Sequence, residues 1–187
     1  SMPMLVEELG LPLAATREAV KRAEAGGLLT ILPKRGITVM DAGPVTTREC
    51  LELRAMFDCE GARRIIETRA PFPLAALRAA HERLRDEAAE AMTADLPARA
   101  IQTDLSLHDA LAAGLGSALA RRLYAENRDR IAVIQNPRPF LADRVASAMR
   151  EHLAILDAFE AGDAGRAARE IRDHLRHTLR WWGIYPE

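Results

Sequence analysis

Four side chains in this sequence have the types and the spacing to hold a metal ion. Asp104 and His108 lie four residues apart in a helical stretch, so a carboxylate and an imidazole leave one face about one turn apart. His152 precedes Gly162 by ten residues and His174 follows Asp163 by eleven. In an antiparallel helical hairpin turning at Gly162-Asp163, those two positions reach the same height. If the hairpin packs on the helix carrying Asp104 and His108, three imidazoles and a carboxylate converge inside a bundle. That donor set suits a divalent transition metal and leaves coordination positions for water or a ligand.

A lone helical histidine is usually a surface residue or a satisfied core residue. Four positions whose geometry agrees are a stronger signal. His177, one turn beyond His174, competes for the same role, and the hairpin arithmetic favours His174. His81 has no partner at useful spacing and is expected to be exposed. Glu151, next to His152, is expected to point away from the metal, because helical neighbours diverge by about 100°.

The elements that must position these residues are helices. Of the 187 residues, 49% are hydrophobic, 28% charged and 4% aromatic, a soluble composition rich in helix-forming Ala, Leu, Arg and Glu. Amphipathic stretches run over about 45–69, 73–93, 96–113, 117–134, 139–160 and 163–181, separated by prolines and glycines. Short connections imply an antiparallel bundle of six or seven helices. The fold class is therefore mainly all-α.

The first 40 residues differ in style. Met4–Leu9 reads as a short helix stopped by Gly10, and a second runs from Pro12 to about Ala25, where Gly26-Gly27 ends it. Two β-prone runs, 28–32 and 37–39, flank Pro33-Lys34-Arg35-Gly36, which is turn chemistry. Helix, turn, helix, hairpin is the order of a winged helix-turn-helix. Arg17, Lys21 and Arg22 share a broad helix face above Ala19, Val20 and Ala23, and Lys34 and Arg35 mark the hairpin tip. All five are candidates for DNA phosphates and base edges. The reading divides the chain into a partial DNA-binding module, residues 1–41, and a helical domain, 45–182.

Bulk charge is neutral on the question of nucleic acid. The net charge is −1, and residues 1–39 carry five basic against four acidic side chains. Cys50 and Cys59 match no zinc or redox spacing and read as reduced, partly buried thiols. The absence of a long apolar run or a signal peptide predicts a cytoplasmic protein with no membrane partner. Ser1 before Met2 reads as a residue left by cloning.

Two sets of motifs carry a family resemblance. Leu5-Val6-Glu7-Glu8-Leu9-Gly10-Leu11, Thr16 through Leu28, and Lys34-Arg35-Gly36-Ile37-Thr38-Val39 resemble the winged helix of GntR-family bacterial regulators. The pattern departs where the family has Ser-Arg-Thr-Pro: here stand Pro12-Leu13-Ala14-Ala15, so Leu13 replaces an arginine used on DNA. The resemblance also implies that the chain starts at the module's second helix. Leu53-Arg54, Phe57-Asp58, Ala62-Arg63, Asp104-x-x-x-His108, Glu151-His152-x-x-Ile155-Leu156, Gly162-Asp163, Ala167-Ala168 and His174-Leu175 resemble the FCD effector domain of the FadR subfamily.

That resemblance implies zinc as the ion, with nickel or manganese as alternatives, on Asp104, His108, His152 and His174. It also implies a small organic acid beside the metal, with Arg54 pairing with its carboxylate. The expected function is a homodimeric, DNA-binding transcription repressor that responds to that acid, and not an enzyme. Two alternatives remain. A metal-dependent hydrolase would need a general base one turn from a ligand, and the sequence offers none. A metal-stabilised structural bundle would have no cavity beside the ion.

Overall fold

The computed structural model describes residues 1–91, 93–138 and 141–184. Among them run α1 (Met2–Leu9), α2 (Leu13–Ala25), β1 (Leu29–Leu32), β2 (Gly36–Val39), α3 (Pro44–Thr68), α4 (Leu74–Glu90), α5 (Leu96–Ala113), α6 (Ala118–Gln135), α7 (Ala142–Glu160) and α8 (Ala164–Trp181). The six bundle helices are thus α3–α8, with ends within three residues of the sequence expectation. Met92, inside the predicted helix 73–93, and residues 139 and 140, which open the predicted helix 139–160, lie outside the described residues.

Local chemistry sets the ends. Pro44 and Pro97 sit in the first turns of α3 and α5, where the missing N–H is no loss. Ser117 and Asp163 accept from the backbone N–H groups of Ala120 and Arg166 and so cap α6 and α8. Gly162, at φ 66°, supplies the left-handed residue that turns α7 into α8. The hairpin that places His152 opposite His174 is therefore written into Gly162-Asp163.

The bundle buries an apolar core from most of its helices. Leu107 and Leu111 of α5 meet Leu153, Ile155 and Leu156 of α7 and Ile171 of α8. A second cluster joins Leu84, Leu96, Val145 and Met149, and a third gathers Leu51, Ile131, Ile134 and Leu179 near the chain's end. Helices α3 and α5 cross at contact distance because of Gly61: a Cβ there would stand 2.0 Å from the Leu111 carbonyl oxygen. This close crossing brings Arg54 and Asp58 of α3 up to Asp104 and His108 of α5.

The N-terminal module is slight. Strands β1 and β2 pair antiparallel from Leu29↔Val39 to Leu32↔Gly36, and Lys34 at φ 61° forms the turn. Only Thr16 and Val20 of α2 are buried, and none of α1. The module is held to the bundle by α6, whose Arg130 donates to the Gly26 carbonyl at 3.3 Å. Met40 and Ala42 pack on the cluster of Ile131 and Ile134.

Candidate metal and anion site

Asp104, His108, His152 and His174 converge in the middle of the bundle, all buried, each offering one ligand atom within 4.8 Å of the others. Asp104 and His108 come from α5, His152 from α7 and His174 from α8. The hairpin puts the Nε2 atoms of His152 and His174 3.3 Å apart. Asp104 Oδ1 stands 3.5 Å from His152 Nε2 and 3.7 Å from His108 Nε2. Two atoms that each bind an ion at about 2.1 Å can be up to about 4.2 Å apart, and these contacts lie inside that span.

The outer partners aim the rings. His108 Nδ1 donates to Asp58 Oδ2 at 2.7 Å and His174 Nδ1 to Glu151 Oε2 at 2.7 Å. His152 Nδ1 lies 3.1 Å from His81 Nε2. All three histidines are thus held by Nδ1 and present Nε2 to the centre, the arrangement that metal-ligating imidazoles adopt. Asp104 is divided in the same way, since its Oδ2 accepts from Arg54 at 3.4 Å and Gln135 at 3.2 Å while Oδ1 faces the rings.

Two details fit a cation at the centre. His108 Nε2 is buried without a hydrogen-bond partner, and an orphaned buried ring nitrogen needs a partner of some kind. Burial and neighbouring cationic groups hold His152 and His174 well below the usual imidazole range, which favours the neutral rings a metal requires. Burial and Arg54 would also push His108 down, but Asp58 and Asp104 outweigh them and raise it. Burial works against the Asp104 carboxylate, yet His108 and Arg54 beside it keep it ionised well below its usual value.

These directions set an acid response. Burial lowers His81, His152 and His174 in the folded state. Near and below the ordinary value of about 6.5 the unfolded chain therefore binds protons that the fold does not, and stability rises with pH there. His108 runs the other way, one group against three. In chelator, urea midpoints should fall steadily from pH 7 to pH 5, as the unfolding free energy drops by up to about 1.4 kcal/mol per pH unit for each unopposed proton. Greater stability at pH 5 than at pH 7 would contradict the assignment of neutral, buried rings.

A cavity of about 10 Å³, room for roughly one water, adjoins the cluster and is lined by Arg54, Asp104, Gln135, Arg144, Ala148, Thr178 and Trp182. Arg54 and Arg144 are both buried, at 4% and 6% exposure. Arg54 leans on Asp104 and, at 3.9 Å, on Asp58. Arg144 donates to Glu151 at 2.8 Å and to Thr178 Oγ1 at 2.7 Å. A far larger groove of about 800 Å³ runs along α3 and α8. It shares no residue with the cluster, whereas the small cavity is lined by Asp104 of the cluster and by Arg54 beside it.

Several expectations need correction. His81, expected to be exposed, is fully buried, because the stripe Leu77, His81, Leu84, Ala88 is the face that α4 turns inward. Glu151, expected to point away, does stay outside the ligand set, but its carboxylate reaches the far side of the His174 ring. Arg144, Gln135 and Thr178 were not singled out by sequence at all. His177 is half-exposed and touches Glu151 at 3.4 Å, so His174 takes the inner place. Arg17, Lys21, Arg22, Lys34 and Arg35 are exposed on α2 and the hairpin turn, with Lys21 3.4 Å from Glu18. Cys50 and Cys59 are free thiols, buried and half-buried.

A model of the FCD domain matches residues 49–177, well over half of the chain. The chain belongs to the FCD domain family. Among solved structures it is similar to E. coli McbR/YncC, at TM-score 0.79 and 16% identity over 96% of this chain and 84% of that one. It is also similar to Lar, described as controlling the expression of the Listeria monocytogenes agr system, at TM-score 0.66 and 11% identity over 99% and 86%. Streptococcus agalactiae GntR matches at TM-score 0.51 and 17% identity over 97% and 88%. These likenesses show a shared fold, that of GntR-type regulators with an FCD helical bundle, to which the FadR-type subfamily corresponds. No curated protein sequence matches the chain. No helix among the described residues is long and apolar enough to cross a membrane.

Proposed function

We propose that this chain is a DNA-binding transcription regulator, acting as a repressor, whose helical domain holds a divalent transition metal and senses a small carboxylate. Residues 1–41 form the DNA-contacting module and 45–182 the sensing domain. Asp104, His108, His152 and His174 hold the ion, zinc by preference with nickel or manganese as alternatives. The observation that carries this reading is the convergence of three Nε2 atoms and Asp104 Oδ1 with every Nδ1 already engaged. The bound ion would supply positive charge and an open coordination position for an anion. Arg54 and Arg144, two guanidiniums lining one cavity, would bind the carboxylate, with Thr178 and Gln135 as neutral donors.

This polar, doubly cationic wall favours a sensor over a purely structural ion site. A hydrolase is disfavoured because Glu151 and Asp58, the carboxylates flanking the ligands, are already holding imidazole N–H groups. Arg17, Lys21, Arg22, Lys34 and Arg35 would meet operator phosphates and bases, and a homodimer would present two such surfaces to a palindrome.

The test is ligand binding with and without metal. Acetate, lactate and citrate are titrated against zinc-loaded and chelator-stripped protein by calorimetry, for the parent and for Arg144→Met. At least one acid should bind the zinc form, lose at least about tenfold in the stripped form, and weaken about 10–100-fold in the variant, as for a lost charged hydrogen bond. Heat-silent titrations with all three acids and zinc bound would reject carboxylate sensing of this class.

A further inference from the structure

We propose that His81 is a positioning residue of the metal site: it fixes the tautomer of His152 so that Nε2 is bare toward the ion. The proposal rests on the metal reading above and adds a residue from α4, a helix that supplies none of the four ligands.

The chain of hydrogen bonds runs in one direction. His81 Nδ1 stands 2.7 Å from the Leu77 carbonyl oxygen. A carbonyl only accepts, so Nδ1 carries the proton. His81 is fully buried, and its ring nitrogens meet a carbonyl and another imidazole, with no carboxylate to balance a charge; a neutral imidazole with its proton on Nδ1 has a lone pair on Nε2. That lone pair faces His152 Nδ1 at 3.1 Å, so His152 must donate from Nδ1. Its Nε2 is then unprotonated, directed at Asp104 Oδ1 and His174 Nε2. A proton on His152 Nε2 would instead point an N–H at the ion and remove one ligand.

His152 needs this device more than its fellow ligands do. The rings of His108 and His174 have carboxylates at Nδ1, Asp58 and Glu151, and a carboxylate leaves one tautomer. The outer partner of His152 is neutral and could donate as well as accept. What removes that freedom is the Leu77 carbonyl, one helical turn before His81. The apolar stripe on α4 holds the imidazole in place: Leu77 belongs to the main core cluster and Leu84 to the next. A neutral outer partner also adds no negative charge to a site that already contains Asp58, Asp104 and Glu151.

The experiment uses the full chain and zinc as probe, with affinity measured by competition against a chromophoric chelator. His81→Leu keeps the bulk and removes the acceptor, and should weaken zinc 10–100-fold, on the order of the effect of outer partners generally. In His81→Gln the amide oxygen can accept from His152 Nδ1, and most of the affinity should return. In the zinc-loaded parent, long-range ¹H–¹⁵N correlations should place the protons of both His81 and His152 on Nδ1. Equal zinc affinity in parent and His81→Leu, or a proton on His81 Nε2, overturns the proposal while leaving the metal site standing. If the leucine variant does not fold, the glutamine variant and the parent spectrum decide. A parent chain that binds no zinc removes the metal reading and this role together.

Discussion

Saturating the chelator-stripped protein with zinc should raise its melting temperature by about 8–16 °C. An ion that binds only the folded state at about a thousand times its dissociation constant adds about 4 kcal/mol, and a chain of this size gains about 2–4 °C per kcal/mol. The large response expected here has a local cause. Without a cation, the bundle encloses the neutral Nε2 atoms of His152 and His174 at 3.3 Å and an unpartnered His108 Nε2. A bound ion would be held by Asp104, His108, His152 and His174 and would give the unpartnered His108 nitrogen a partner. Asp104→Asn keeps the shape, deletes the only anionic ligand, and should weaken zinc by more than about 100-fold, beyond the effect of any outer partner. Its metal-free melting temperature must be measured alongside, because Arg54 loses its nearer carboxylate at 3.4 Å. Absence of a thermal shift with zinc, nickel and manganese in the parent would reject the metal centre.

The constellation was legible in sequence because its geometry is helical and short-ranged. Asp104 and His108 are one turn apart, and His152 and His174 lie ten and eleven residues from a turn that Gly162 and Asp163 announce. What the spacing could not give was the identity of the helices behind them. His81 sits on α4 and meets His152 only through the packing of α4 on α7, a long-range contact with no period in the sequence. A signal did exist: Leu77, His81, Leu84 and Ala88 recur at helical spacing, which places the imidazole on an apolar face. Weighing that stripe would have predicted burial and hence an obligatory partner.

Arg144 shows a different limit. It lies two turns before Glu151 on the same helix, and such a pair reads as a solvated ion pair. Only the folded bundle, with Thr178 of α8 closing over it, turns that pair into the wall of a cavity. The small N-terminal helix-and-hairpin segment was visible for the opposite reason. Turns rich in Gly, Pro and charge are local chemistry, and β1 and β2 fall where the Pro33–Gly36 turn requires.

If the cavity beside Asp104 takes the proposed acid, communication with the N-terminal module should pass through Arg138. Trp182 lines the cavity, and the Arg138 guanidinium lies 4.8 Å from its ring centroid. The same guanidinium donates to the Ala42 carbonyl at 2.9 Å, in the linker between the module and α3, and to Thr47 Oγ1 at 3.1 Å. Thr47 in turn donates to Ala42 at 3.1 Å, so the linker's end is tied to one side chain. An acid larger than the roughly one-water cavity must displace a wall, and Trp182, only partly buried, is the wall joined to the linker. Arg138→Met keeps an apolar stem against Trp182 and removes the donors to Ala42 and Thr47. Acid binding should then stay within about threefold of the parent, while the effect of the acid on DNA affinity should collapse. A typical coupling is worth about 1–3 kcal/mol, or 5–150-fold, and less than about threefold should remain in the variant. The measurement is the affinity for the DNA upstream of the protein's own gene, at fixed salt, with and without the acid found by calorimetry. A variant that retains the parent's full acid response would place the coupling elsewhere, since a ligand shifts an equilibrium only through contacts that differ between its two states.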